Sequence, residues 1–301
     1  MTTTHGEAPV CLVTGATKGI GRATAAGLAR AGAHVIVAGR SQERTADTVR
    51  QLASATGSDR LEGVVGDLSV QSEVRSLAAQ VMARHDRLDV LINNAGMGGT
   101  HRVLSPDCVE SVWAVNHLAP FLLTGLLLDL LRAGAPSRVV TVTSALQGCA
   151  RLDLDDPEFT RRPYRPLAAY AQAKLAQVVF TLELAERLRG TGVTVNCVHP
   201  GLARTGIARQ FGTRGAVGRG MRLRDLLSSG PDRAARAPIH LATAPDLAGV
   251  TGEYFVNRKR GTPRPGRVNR VARDVGARRR LWDMSAEMTG LAPGPLVLWT
   301  R

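Results

Sequence analysis

Val10-Cys11-Leu12-Val13 is a short apolar run that passes straight into a turn with glycine at positions 15, 19 and 21. An amphipathic stretch continues to Ala31-Gly32, and a second apolar run, His34 to Ala38, follows at once. Strand, tight turn, helix and strand in so few residues leave little choice. The two strands lie parallel in one sheet and the helix crosses one of its faces.

The same alternation repeats along the chain. A helix is expected from Gln42 to about Thr56, a strand at Gly63 to Val65, a helix from about Gln71 to His85 and a strand at Val90-Leu91-Ile92. A helix over roughly Pro106 to Leu131 leads to a strand at Arg138 to Val142 and a long helix from Leu167 to Arg189. Strands at Val193 to Val198 and Glu253 to Val256 complete the pattern. This is an α/β chain, one doubly wound domain around a parallel sheet of about seven strands.

No repeat and no linker divides the 301 residues. Residues 1–9 are expected to be a flexible N-terminus, and residues 258–301 a basic C-terminal extension packed on the domain. Two segments break the rhythm: residues 151–166, dense in charge and proline, and residues 202–230, rich in Gly and Arg. Both follow the carboxyl ends of strands, where open α/β sheets bind ligands, so both are expected to be substrate-site loops.

Composition excludes several classes. Met1 to Pro9 has no apolar core, so no secretory leader is expected. The most apolar stretch, Phe121 to Leu131, is interrupted by Thr124, Gly125 and Asp129 and is too short to span a bilayer. Cys11, Cys108, Cys149 and Cys197 are far apart, with neither disulfide-framework nor metal spacing, which fits a reduced, cytoplasmic setting. The net charge of +14 is arginine-dominated and concentrated late, as at Arg278-Arg279-Arg280. It suits nucleic acid, an anionic membrane surface, an anionic cofactor or a GC-rich coding bias, and the tract lacks aromatics interleaved for base stacking.

Two stretches carry chemistry. In Thr14-Gly15-Ala16-Thr17-Lys18-Gly19-Ile20-Gly21 the glycines allow a backbone to approach a pyrophosphate, whose charge the following helix N-terminus stabilises. The second strand ends in Gly39-Arg40 where an acidic residue would take a free ribose 2′-hydroxyl. Arg40, with Lys18 in the turn, suits a 2′-phosphate instead, which selects NADP over NAD. Asp67, after the third strand, can meet the adenine amino group or cap a turn. The other stretch is Tyr170-Ala171-Gln172-Ala173-Lys174, whose phenol and ammonium share a helix face. A neighbouring cation favours phenolate and makes the tyrosine a usable acid and base near neutral pH. Ser144 closes a strand 26 residues earlier.

In this order, TGATKGIG (14–21), DL (67–68), NNAG (93–96), Asn116, Ser144, YAQAK (170–174) and PG (200–201) resemble the short-chain dehydrogenase/reductase family. NCVHPG (196–201), VTGEYFVNRK (250–259) and RRRLWDMSAEMTGL (278–291) resemble its retinol-dehydrogenase-type branch. The resemblance implies a Rossmann domain and hydride transfer between NADP(H) and a hydrophobic ketone, aldehyde or secondary alcohol. It makes Tyr170 the general acid or base and Ser144 the hydrogen-bond partner of the substrate oxygen. Lys174 would lower the tyrosine pKa and hold the nicotinamide ribose, and Asn116 would hold a water behind it. Gly15, Thr17, Lys18, Gly19, Ile20, Gly21, Arg40, Asp67, Leu68, Asn94, Ala95 and Gly96 would line the cofactor. Pro200, Gly201 and Thr205 would meet its nicotinamide end. Homodimers or homotetramers, and a role in secondary metabolism, are family habits.

The remaining motifs are given no chemistry. The histidines are expected to be structural or exposed, and Asp153, Asp155, Asp156 and Glu158 to form a solvated loop face. Met221 and Leu223 to Leu227 would form an apolar wall of the substrate loop or simply pack. The competing functions are a non-catalytic nucleotide sensor and a nucleic-acid binder using the basic C-terminal third.

Overall fold

The computed structural model describes residues 7–201, 230–258 and 261–291. Its sheet runs in the order β3-β2-β1-β4-β5-β6-β7-β8. The strands are β1 (Val10–Thr14), β2 (His34–Gly39), β3 (Leu61–Val65), β4 (Val90–Asn93), β5 (Ser137–Val142), β6 (Val193–His199), β7 (Tyr254–Val256) and β8 (Arg264–Pro265). Among the described strands the first seven are parallel to one another and only β8 pairs antiparallel, with β7. That two-residue edge strand is one more than the seven expected, because so short a segment leaves no alternating pattern to read.

Period-two alternation separates the two faces. Leu12, Ile36, Leu91 and Val139 enter one apolar cluster, whereas Cys11, Val13, Val35, Val37, Val90, Ile92 and Val140 enter the other. Both faces are buried, so both parities are apolar, as a parallel sheet with helices on each side requires. On the second face lie α1 (Gly19–Arg30) and α2 (Gln42–Thr56), joined near the C-terminal end by α8 (Pro231–Thr243), which packs on α1. The first face carries α3 (Gln71–Met82), α5 (Ala119–Leu126) and α7 (Pro166–Arg187).

The helix expected over Pro106 to Leu131 is split. Leu104 and Glu110 form a small bridge, and α4 (Ser111–Trp113) starts where the Glu110 carboxylate accepts from Val112 N at 3.0 Å and Trp113 N at 2.8 Å. A π-helical turn at Ala114–Leu118 leads into α5, and Leu127 separates it from α6 (Leu128–Ala133). The buried Glu110 cap decides this start, and a buried carboxylate has no signature in a sequence.

Residues 275–289 form α9 (Val275–Thr289), capped by Asp274 and closed by Gly290 in the left-handed region. It packs along α7. Trp282 meets Phe121 at 5.0 Å and Phe180 at 6.0 Å between ring centroids, and the Arg187 guanidinium lies 4.2 Å from its ring centroid. Among the described residues, no helix is long and apolar enough to cross a membrane.

Candidate active site

Six of these features lie at the carboxyl end of a strand: the glycine turn after β1, Arg40 after β2, Asp67 after β3, Asn94 after β4, Ser144 after β5 and Pro200 after β6. Those six strands are neighbours in the order 3-2-1-4-5-6. The motifs therefore line a single edge of the sheet, and the order reverses between β1 and β4, the usual place for a ligand crevice.

The turns after β1 and β4 are built against each other. Thr14 Oγ1 accepts from Asn94 N at 3.0 Å and Ala95 N at 3.1 Å, while Asn94 Nδ2 donates to Thr14 O at 2.8 Å. A Cβ at position 21 would come within 2.4 Å of Asn94 Nδ2 and of Gly15 O, so this close approach needs glycine. At position 39 a Cβ would lie 2.4 Å from Thr45 Oγ1 and 2.6 Å from Thr17 Cγ2. No acidic side chain fits there, and the next residue is the exposed Arg40, with Lys18 also exposed at the start of α1. The Asp67 Oδ1 oxygen caps its own turn, accepting from Ser69 N at 2.9 Å and Ser69 Oγ at 2.8 Å.

Ser144, Tyr170 and Lys174 are all buried, at 5%, 7% and 3% exposure. Ser144 Oγ accepts from Leu146 N at 3.3 Å, which leaves its hydroxyl proton to donate. Lys174 lies one helical turn beyond Tyr170, its Nζ 5.6 Å from the tyrosine ring centroid. Thr143 Oγ1 donates to Lys174 O at 2.9 Å and Lys174 Nζ donates to Val142 O at 3.1 Å. These bonds stitch α7 to the end of β5, next to Ser144. Burial pulls the Lys174 pKa down to about 7.

Sequence reasoning missed Gln177. It is wholly buried, accepts from Lys174 Nζ at 3.0 Å and donates from Nε2 to Asn116 O at 2.6 Å. Asn116 sits in the π-helical turn, and its side chain exchanges two hydrogen bonds with the Met97 backbone at 2.9 and 2.8 Å. Lys174, Gln177 and Asn116 thus form a hydrogen-bonded chain, in which Gln177 bonds the backbone carbonyl of the residue expected to hold a water. Spacing could have pointed to Gln177, since residues three apart share a helix face. Asn257 was also missed. Its amide donates to Pro200 O at 3.0 Å and Arg233 O at 3.1 Å, fixing the turn after β6.

The acidic run beyond Ser144 is not a solvated face throughout. Asp156 is buried; it accepts from Thr160 N at 2.6 Å and Thr160 Oγ1 at 2.8 Å and pairs with Arg162 at 3.3 Å. Glu158 accepts from Glu110 N at 2.7 Å. These carboxylates order the loop from within, because a segment without sheet or helix partners must satisfy its backbone donors locally. His117 is buried against Ser285 Oγ at 2.7 Å, with its pKa pulled down to about 3 by burial. Thr205, Met221 and Leu223 to Leu227 lie outside the described residues.

The chain and its fold have counterparts among known proteins. The family model for short chain dehydrogenase matches residues 9–214. Human retinol dehydrogenase 13 is 40% identical over 283 residues, covering 93% of this chain and 84% of its own. Among solved structures, an uncharacterised protein from Mycobacterium paratuberculosis superposes with a TM-score of 0.76 at 31% identity, covering 96% of each chain. A short chain dehydrogenase from Shigella flexneri, complexed with NADP, gives 0.66 at 27% identity, covering 83% of this chain and 97% of its own. The chain belongs to the short-chain dehydrogenase family, in its retinol-dehydrogenase-like branch.

Proposed function

We propose that this protein is an NADP(H)-dependent oxidoreductase acting on a hydrophobic ketone, aldehyde or secondary alcohol, with Tyr170 as its general acid and base. The observation that carries the reading is the buried Ser144, Tyr170 and Lys174, with Lys174 bonded to the end of β5, at the same edge of the sheet as the glycine turn. When bound, NADP(H) supplies or takes up the hydride.

The residues present fit that cofactor. The turn from Thr14 to Gly21 has the small residues that a pyrophosphate needs, and the exposed Arg40 and Lys18 offer charge for a 2′-phosphate. Asp67, Leu68, Asn94, Ala95 and Gly96 would line the adenosine side, and Pro200 and Gly201 the nicotinamide side, with Thr205 a further partner there. The NADP complex of the Shigella flexneri relative supports the same choice.

The chain's own groups handle the proton. Ser144 donates its hydroxyl hydrogen to the substrate oxygen and stabilises charge that grows there in the transition state. In reduction Tyr170 gives its phenolic proton to that oxygen, and in oxidation it takes the proton back. Lys174, when protonated, favours phenolate at Tyr170 and would hold the nicotinamide ribose hydroxyls. Asn116 and Gln177 hold Lys174 in place from behind. A relative named for retinol, an apolar alcohol, supports the hydrophobic substrate class.

Tyr170→Phe keeps the ring and removes the proton, so it should bind NADPH normally and lose about 10²- to 10⁴-fold or more in turnover. A panel of aromatic, polycyclic and long-chain carbonyls, read by NADPH oxidation, supplies the substrate for that comparison. Turnover near that of the wild type would sink the assignment. Nucleic-acid binding by the basic C-terminal third is less well supported: Arg278 pairs with Glu183 at 3.4 Å and Arg280 pairs with Asp155.

A further inference from the structure

At the other end of the sheet, three potential metal ligands meet. His34 opens β2 and Glu62 is the second residue of β3, so both lie at the amino ends of their strands. That is roughly 17 Å, the length of a five-residue strand, from the edge that carries the candidate active site. Glu62 pairs in register with Ile36, two residues beyond His34, so His34 and Glu62 project from the same face of the sheet. This is the face covered by α3. Ile36 and Val64 continue the two rows inward and pack with Val74, Leu77 and Val81 of that helix. His85 follows Val81 by one helical turn, its backbone N–H donating to Val81 O at 3.1 Å, and so arrives over the same row.

The three side chains converge. His34 Nε2 lies 3.2 Å from Glu62 Oε1, and His85 Nε2 contacts the same oxygen. The two imidazoles stand edge to face, with centroids 5.1 Å apart and planes at 78°. All three ligand atoms fall within 4.8 Å of one another. A tetrahedral zinc-like ion bound at about 2.0–2.1 Å places its ligand atoms roughly 3.3 Å apart, so a small outward turn of His85 would admit one. The second carboxylate oxygen, Oε2, accepts from Arg84 Nη1 at 3.2 Å, which leaves Oε1 for monodentate binding. The side chains retain 33%, 23% and 12% exposure for His34, Glu62 and His85, enough for an ion to enter from solvent.

We propose that His34, Glu62 and His85 bind one divalent transition-metal ion, separate from the catalytic edge, with a fourth position left to water. Two imidazoles and one carboxylate suit zinc, cobalt or nickel and disfavour magnesium and calcium, which prefer all-oxygen sites. The ion would have a structural role. Among the described strands β3 is an edge of the sheet, bonded only to β2, and the ion would tie it both to β2 and to the end of α3.

The test uses untagged full-length protein stripped with chelator and titrated with Co²⁺, whose visible bands report coordination. The wild type should take up one ion per chain with tetrahedral bands and no thiolate charge-transfer band. Binding should be lost in His85→Gln and Glu62→Gln and kept in the control His101→Gln. Zn²⁺ should raise the thermal midpoint of the wild type and of the control, and leave the other two unmoved. Histidine-labelled NMR of the wild type with Co²⁺ identifies the ligating rings even where a variant folds poorly. The proposal is overturned if the wild type takes up no ion, showing a hydrogen-bonded His–Glu–His cluster only. Uptake that survives in both variants, or a thiolate band pointing to Cys108 or Cys149, overturns it equally.

Discussion

Gln177→Leu removes both hydrogen bonds of the amide that joins Lys174 to Asn116 while keeping most of the side-chain volume. A hydrogen bond to a charged group contributes about 1.5–3 kcal/mol, and a buried carbonyl left without its partner costs about 1–3 kcal/mol. Lys174 keeps its bond to Val142 O at 3.1 Å, so the first figure applies to one bond only. The expected loss is therefore about 2.5–6 kcal/mol when Lys174 is charged. With its pKa already near 7, Lys174 can instead shed its proton, so the loss should be larger at pH 6 than at pH 8.5. Urea unfolding of the cofactor-free protein at the two pH values reads this directly. Activity gives a second readout: a less charged Lys174 raises the Tyr170 pKa, moving the alkaline rise of alcohol oxidation to higher pH. Gln177→Glu, which puts a carboxylate beside the ammonium, should move that profile the other way. Stability within about 0.5 kcal/mol of the wild type at both pH values, with an unmoved profile, would refute the positioning role.

Three other outcomes follow from the same geometry. Lys174 has a folded pKa of about 7 against 10.5 when free, so burying its charge costs most below pH 7. Between those values the unfolded chain binds the extra proton, and stability relative to Lys174→Met should climb by at most about 1.4 kcal/mol per pH unit, read by denaturant unfolding. The variant serves as baseline because the buried thiols of Cys11 and Cys197, raised by desolvation, act in the opposite direction over part of this range. Arg40→Asp should weaken NADPH far more than NADH in fluorescence titrations; an unchanged preference would count against the 2′-phosphate reading. Trp282→Ala should cost about 3–5 kcal/mol in unfolding free energy, since its indole fills the seam between α5, α7 and α9. A loss below about 1 kcal/mol would mean that α9 does not share the main core.

Much of this molecule was legible in its letters, for local reasons. Glycine at 15, 19 and 21 behind an apolar strand opens turn conformations and close approaches that other residues resist, whatever surrounds it. Tyr170 and Lys174 must share a helix face because four residues make about one turn. Ser144 comes just after an apolar, β-branched strand, which puts it at the strand's carboxyl end. Strand and helix sequence, with the handedness of parallel crossovers, left few arrangements for the sheet.

What only the tertiary structure decided depends on which surfaces meet. Asp156 and Glu110 read as ordinary acidic residues, and burial made them internal caps. Gln177 became part of the lysine's support only when α7 came to lie against the turn holding Asn116. His34, Glu62 and His85 are separated by 28 and 23 residues, and nothing local relates them. Pairing of β2 with β3 and the packing of α3 bring them together. Periodicity and turn chemistry act over a few residues and can be read in order along the chain. Contacts between distant residues arise only from the packing of whole elements, and that is where the lysine's support and the proposed metal ligands come from.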